Sequence, residues 1–166
     1  MLTQDGYLYS MGFNENGVLG LGKSEQELRH TSSPQLVQNI YCISAVATGD
    51  SHSLALDVTK TVYAWGNSEK GAIGVRENPD DNHTPKELHV HSKQVTQLAC
   101  GSEHSVVVTD CNTVYSLGRG DKGQLGIGYQ SSREFRPQAM QGQLPSDEIT
   151  QVCCGQHTTF VLTNTQ

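Results

Sequence analysis

Asp50-Ser51-His52 sets the three residue types of a hydrolase triad side by side, and Ser102-Glu103-His104 repeats the idea 52 residues later. A working triad needs a nucleophile bonded to a base and that base bonded to an acid, from side chains brought together in space. Consecutive residues on a strand or turn point in different directions, so sequence neighbours make poor triad partners. The recurrence itself assigns His52 and His104 a structural task.

Gly118-Arg119-Gly120-Asp121-Lys122-Gly123 spells the G-x-G-x-x-G dinucleotide fingerprint. That fingerprint works where a strand opens into a helix, whereas the sister segments GFNENG at 12–17 and GNSEKG at 66–71 lack the middle glycine. No Gly-Lys-Ser/Thr follows Gly123, so this segment is not a P-loop. The adhesion tripeptide Arg119-Gly120-Asp121 and the glycosylation acceptor Asn82-His83-Thr84 are read as chance, since nothing points to an extracellular protein. His89 and His91 could share one face of a strand, but two imidazoles are too few for a metal site. Cys42, Cys100, Cys111, Cys153 and Cys154 are odd in number and lack C-x-x-C spacing. They read as reduced thiols, with Cys100, Cys154 and the equivalent Thr48 as small buried residues. No catalytic residue, cofactor or metal is expected.

The same segment is written three times: LYSMGFNENGVLGLG at 8–22, VYAWGNSEKGAIGVR at 62–76 and VYSLGRGDKGQLGIG at 114–128. Gly12, Gly66 and Gly118 coincide, as do Gly17, Gly71 and Gly123, and Gly20, Gly74 and Gly126. A second segment recurs as ISAVATGDSHSLAL at 43–56, VTQLACGSEHSVVV at 95–108 and ITQVCCGQHTTFVL at 149–162, with Gly49, Gly101 and Gly155 in register. Alternating apolar residues around those three glycines read as strand, tight turn, strand. Pro34, Pro85 and Pro137 close each intervening polar stretch. A period of 54 and then 52 residues implies an array of four-stranded propeller blades. Each blade is expected to run from a Pro-led strand through the two glycine-turn strands to the strand ending at Met11, Trp65 or Leu117. Those three should sit in equivalent inward positions, and Leu19, Ile73 and Leu125 should fill the space between blades.

The chain has 166 residues, 35% of them hydrophobic, with 17 glycines and a net charge of −6. That charge argues against a dominant nucleic-acid surface. The amino terminus carries no basic-then-apolar leader, and no run of eighteen apolar residues occurs, so the reading is a soluble intracellular protein, cytoplasmic or nuclear, without membrane contact.

The combination of G-x-x-H-S, V-Y-x-W-G and G-x-L/I-G at this period resembles the RCC1 repeat family, whose members form seven-bladed β-propellers. The resemblance covers essentially the whole chain. It implies an all-β array: a partial repeat at 1–34, repeats at 35–85 and 86–137, and a partial repeat at 138–166. The chain departs from the family pattern where Met11 and Leu117 replace the tryptophan, and where Thr158 stands in the place of His52 and His104.

By this pattern the strands count as one, four, four and three, about three blades of a seven-bladed ring. The chain then reads as a fragment of a longer protein, an open arc, or a piece that several copies complete by self-association. The fragment is preferred because a natural start rarely falls within a strand. The resemblance implies a noncatalytic protein-interaction or regulatory scaffold, or alternatively an exchange factor for a Ran-like small GTPase. Contacts with a protein partner are expected in the variable segments 23–33, 77–84 and 129–136, with Glu77, Asp80, Asp81, Arg133 and Arg136 as the charged candidates.

Overall fold

The computed structural model describes residues 1–75, 82–91, 94–142 and 148–164. Among these described residues twelve strands follow one another: β1 (Tyr9–Phe13), β2 (His30–Leu36), β3 (Ile43–Thr48), β4 (His52–Asp57), β5 (Val62–Gly66), β6 (Lys86–Glu87), β7 (Val95–Cys100), β8 (His104–Thr109), β9 (Val114–Gly120), β10 (Ser131–Ala139), β11 (Ile149–Cys154) and β12 (Thr159–Thr163). Among the described residues the helical content is one short 3-10 turn at Glu15–Gly17.

All pairing is antiparallel. The strands form a first sheet of β1 and β2, a second of β3 to β6, a third of β7 to β10, and a fourth of β11 and β12. The expected distribution of one, four, four and three is thus corrected to two, four, four and two. The strand that carries or follows the proline is the last of its sheet and not the first: β6, just after Pro85, pairs with β5, and β10, which carries Pro137, pairs with β9. Proline's missing N–H requires an edge strand, and either end of a sheet supplies one; the pairing with the third strands β5 and β9 decides which end it takes. Pro34 and Pro137 fall where the pairing register skips, between Thr31 and Gln35 and between Glu134 and Gln138.

β4 and β8 are buried along their whole length, because a neighbouring sheet covers each face. Their sequences SLAL and SVVV accordingly read as continuous strand-core stretches. β3, β7 and β11 each carry a bulge near their start, where Ser44, Thr96 and Thr150 donate a hydroxyl to the carbonyls of Leu56, Val108 and Leu162 at 3.1, 3.2 and 3.1 Å. A hydroxyl at that place satisfies a carbonyl that the skipped ladder leaves over.

Three apolar clusters lie between successive sheets. Leu8, Val37, Ile43, Ala55 and Trp65 join the first and second sheets. Leu54, Val62, Ile73, Val107 and Leu117 join the second and third, while Ala99, Val106, Val114, Ile149 and Val152 join the third and fourth. Leu19, Ile73 and Leu125 are all buried, as their repeat position implies. Trp65 and Leu117 are buried too, but Met11 is 43% exposed. The expected equivalence fails there because the side chains of β5 and β9 at this position pack back on the preceding sheet, and β1 belongs to the first.

At the inner ends, successive sheets approach so closely that a side chain would not fit. A Cβ on Gly49 would strike the Gly101 carbonyl oxygen and the His52 ring, and a Cβ on Gly101 would strike the His104 ring and lie 2.7 Å from the Gly155 carbonyl oxygen. These glycines are required by contact and not by a left-handed φ. Gly101→Ala should therefore cost about 1 to 3 kcal/mol, the scale of overpacking. Urea denaturation measures this, and an unchanged midpoint would contradict the close approach.

Candidate functional site

His52 begins β4 and His104 begins β8, both immediately after a glycine turn, and both are fully buried. Neither meets a triad. His52 Nε2 lies 2.9 Å from Ser105 Oγ in the next sheet, and Ser105 Oγ donates to the Ala72 carbonyl at 2.7 Å. His104 Nε2 lies 3.1 Å from Thr159 Oγ1, which donates to the Gln124 carbonyl at 2.7 Å. Since each hydroxyl spends its proton on a carbonyl, it can only accept from the ring, so Nε2 carries the hydrogen. Nδ1 of each ring is then an unprotonated nitrogen, buried and without a hydrogen-bond partner.

Burial, the largest influence on both rings, pushes His52 and His104 down from the ordinary 6.5 to about 4, so each is a neutral donor near pH 7. Ser53 shows the same relay: its Oγ donates to the Val18 carbonyl at 3.1 Å, and Trp65 Nε1 donates to the same oxygen at 2.8 Å. Asp50 is occupied elsewhere, accepting from Ser102 Oγ at 2.6 Å.

The glycine-rich motif does not form a phosphate cradle. β9 runs through Gly120 into a turn with no helix after it, and Arg119 is held by acids on both sides. Its Nη1 reaches Glu103 at 2.6 Å, while Nε and Nη2 grip both oxygens of Asp121 at 2.7 and 2.9 Å. Those hydrogen bonds, Asp121 first, raise the guanidinium still further above its usual value, and Arg119 in turn holds Asp121 below the usual carboxylate range. Arg119 and Asp121 therefore bind each other, the opposite of what a displayed adhesion tripeptide needs.

His89 is exposed and touches Glu87 at 3.3 Å, and among the described residues no three His, Cys, Asp or Glu side chains gather as a metal site. All five cysteines are free. The expectation of small buried residues at Thr48, Cys100 and Cys154 is corrected: Thr48 is exposed and the two thiols are half-buried, lining a groove at the inner ends of the strands. Burial nonetheless pushes the Cys154 thiol up to about 11 and Cys100 higher still, so neither is a ready thiolate.

Two rims remain as contact surfaces. One carries the glycine turns and the loops after the third strands, joined where Asn67 N donates to Ser51 O at 2.8 Å and Arg119 N to Glu103 O at 2.9 Å. It holds a cleft of about 370 Å³ bounded by Asn16, Glu25, Asn67, Glu69 and His83. The other rim holds a groove of about 590 Å³ bounded by Lys60, Glu87, His89, His91, Phe135 and Arg136.

Arg133 and Arg136 lie on strand β10 and not in a loop, which shortens the expected variable segment 129–136. Arg133 stacks over Phe135 with its guanidinium 5.4 Å from the ring centre and reaches the Glu69 carbonyl at 3.3 Å. Glu77, Asp80 and Asp81 lie outside the described residues. The repeat pattern alone assigns no role to the hydroxyls of Ser53, Ser105 and Thr159. Their position beside His52, His104 and Thr158 was visible, but their acceptors belong to another repeat unit.

The family described as "Regulator of chromosome condensation (RCC1) repeat" matches residues 5–56, 61–108 and 112–162. The chain is 34% identical over 160 residues to the human "Probable E3 ubiquitin-protein ligase HERC3", covering 95% of this chain and 15% of that protein. It is 34% identical over 134 residues to the Arabidopsis thaliana "Ultraviolet-B receptor UVR8", covering 81% and 30%. To the human "Protein RCC2" it is 32% identical over 128 residues, covering 76% and 24%. The chain thus spans under a third of each of these relatives. Human WBSCR16 superposes with a TM-score of 0.84 at 27% identity, covering 98% of this chain and 42% of that one. Prp20p from Saccharomyces cerevisiae superposes at 0.79 with 24% identity, covering 96% and 40%. The fold is therefore part of a β-propeller, in agreement with the blades read from the repeat.

The buried rings make acid stability predictable. The unfolded chain binds protons on these histidines below about 6.5, while the folded chain resists them down to about 4. Stability is thus full above pH 6.5 and falls as pH drops through that window, by on the order of 3 kcal/mol for the fully buried His52. His52→Gln keeps an N–H donor but does not titrate, and should flatten part of this slope. His52→Ala should lose about 1 to 3 kcal/mol at pH 7 through the lost relay. Denaturation midpoints between pH 7 and 4 measure both effects, and an unchanged slope in His52→Gln would refute the assignment.

Proposed function

Since the chain belongs to the regulator of chromosome condensation (RCC1) repeat family, we propose that it acts as a noncatalytic interaction and regulatory scaffold, presenting its two rims to a protein partner. One observation carries this reading. Each catalytic-looking polar motif of the described chain is committed to structure: His52 and His104 to the relay between sheets, Asp50 to Ser102, and Arg119 to Glu103 and Asp121.

The rims carry what partner recognition uses. Arg136, Phe135, Lys60 and Glu87 combine an aromatic body with charges of both signs around one groove. Arg133 adds an exposed guanidinium whose central carbon lies 5.4 Å from the Phe135 ring centre. The scaffold beneath is rigid and the surface is what varies between repeats, the usual division of labour in repeat proteins.

Exchange on a Ran-like small GTPase is the alternative, and it separates cleanly by assay. A partner captured by cross-linking to the folded chain should associate up to about tenfold more slowly with Arg133→Glu/Arg136→Glu, with a weaker salt dependence, while the melting temperature stays within the range of ordinary surface substitutions. His52→Ala should do the reverse, lowering stability and leaving affinity per folded molecule unchanged. If His52→Ala is as stable as the parent yet abolishes nucleotide release from a small GTPase, the scaffold reading falls and exchange replaces it.

A further inference from the structure

We propose that the groove between the second and third sheets is a carboxylate-binding site, and that its occupant is an extended acidic segment of a protein partner. The inference rests on reading this groove as a partner surface, and it adds the chemistry that the surface selects.

Gly6, Lys60 and Asn112 hold one position of the repeat, the same distance before Gly12, Gly66 and Gly118, and all three have a left-handed φ, of 78°, 74° and 59°. Ile43, Val95 and Ile149 hold another, at the start of β3, β7 and β11. At two of the three junctions between sheets these positions are joined: Ile43 N donates to Gly6 O at 3.0 Å, and Ile149 N to Asn112 Oδ1 at 2.7 Å. At the middle junction they are not. Val95 N meets no acceptor among the described residues. Its own sheet does not use it either: Asp110 N donates to Gln94 O at 2.9 Å and Thr109 N to Thr113 O at 3.0 Å, so Val95 and Thr109 are a non-hydrogen-bonded pair and the Val95 N–H turns away from β8.

The side chain at position 60 accounts for the difference. Gly6 brings its carbonyl in so closely that a Cβ there would lie 2.7 Å from Cys42 Cα. Lys60 carries that Cβ and cannot follow. Asn112 carries one too, yet its amide oxygen spans the gap, whereas the ammonium of Lys60 can only donate. Where the sister junctions place an acceptor, an open N–H and a cation therefore line one groove.

That groove of about 590 Å³ has Arg136 on its opposite wall. Neither Lys60 nor Arg136 has an acidic partner among the described residues. On a chain of net charge −6 this is a local reversal of sign. A carboxylate accepts on both oxygens, so it can answer the N–H and a cation together, with charge-assisted bonds to the latter. Phosphates would answer the same donors, but Glu87 stands in the groove beside His89 at 3.3 Å, and Val75, Val90 and Phe135 give it an apolar side. A nucleic acid brings a charge at every step and would meet Glu87; a peptide can set its carboxylates singly and cover the apolar wall with the residues between them. The groove is also much larger than one carboxylate, so neighbouring residues of the segment must lie in it.

Fluorescence anisotropy of a labelled peptide of alternating glutamate and leucine tests this on the 166-residue chain, with its glutamine counterpart and an oligothymidylate as comparison probes. The glutamate peptide should bind about tenfold more tightly than the glutamine one, the scale of a charged hydrogen bond. In a nitrogen-15 NMR titration the Val95 amide should move downfield. Lys60→Asn supplies the oxygen that Asn112 has and tolerates the left-handed φ, so it should fold as the parent does and bind the glutamate peptide no better than the glutamine one. Glu87→Gln should tighten binding by up to about fivefold, the range of exposed charge pairs. Equal binding of the two peptides, a stationary Val95 amide or full binding by Lys60→Asn overturns the proposal, and so does tighter binding of the oligothymidylate with the same Val95 response. None of these results touches the scaffold reading, which stands or falls on nucleotide release and on the cross-linked partner. If Lys60→Asn does not fold, Arg136→Gln and the parent's Val95 amide decide: unchanged affinity in that variant overturns the site.

Discussion

The structure depends on how closely neighbouring sheets can approach at their inner ends. A peptide carbonyl of one sheet lies where the Cβ of a glycine in the preceding sheet would be, at Gly49 against Gly101 and at Gly101 against Gly155. With the backbones that near, a histidine at the start of β4 or β8 is within one hydrogen bond of a hydroxyl in the following sheet. A larger residue at the glycine would push the sheets apart and break the relay as well as the packing. The glycine, the histidine and the hydroxyl are therefore one device, and losing any member weakens the others.

That device explains why a polar group can be used in so dry a place. A neutral imidazole gives one N–H to a hydroxyl that passes its own proton to a loop carbonyl, so the loop after each third strand is tied to the next sheet. The cost is an unpartnered Nδ1 on each ring. Burial keeps the rings neutral, since at His52 the loss of hydration disfavours the cation by more than the nearby Asp50 charge favours it. The loops that form the rims are thereby anchored at their bases by Ala72 and Gln124, so their outer residues can differ from repeat to repeat without loosening the frame.

Much of this frame was legible in the amino-acid sequence, because glycine spacing and period-two alternation are local signals. The glycines at 49, 101 and 155, the plugs Leu19, Ile73 and Leu125, and the structural part of His52 and His104 all follow from aligning the three copies. What was not legible depended on distant pairs. Which sheet claims the proline strand depends on pairing across the third strand, so Pro85 reads equally well as closing or opening a blade. Met11 matches Trp65 in sequence, yet burial belongs to the preceding sheet and not to the residue. Arg133 and Arg136 sit in a stretch as polar as any loop, and only the pairing of β10 with β9 makes it a strand. The relay hydroxyls were visible beside the histidines, but their acceptors lie in a different copy.

The copies are not equivalent in energy, and the difference is chemical. Between the first and second sheets the Val18 carbonyl accepts from both Ser53 and the Trp65 indole, with no histidine feeding Ser53 in the described chain. Between the second and third sheets Leu117 replaces the indole, and the His52 relay supplies the second polar link. Between the third and fourth sheets the hydroxyl is Thr159, half-buried, with Thr158 where the next histidine would begin another relay. In an array whose stability is a sum of nearest-neighbour interfaces, these three interfaces therefore contribute unequally, and the one joined through the half-buried Thr159 hydroxyl rests on a polar link that water can reach, which weakens it relative to the fully buried Ser105 link.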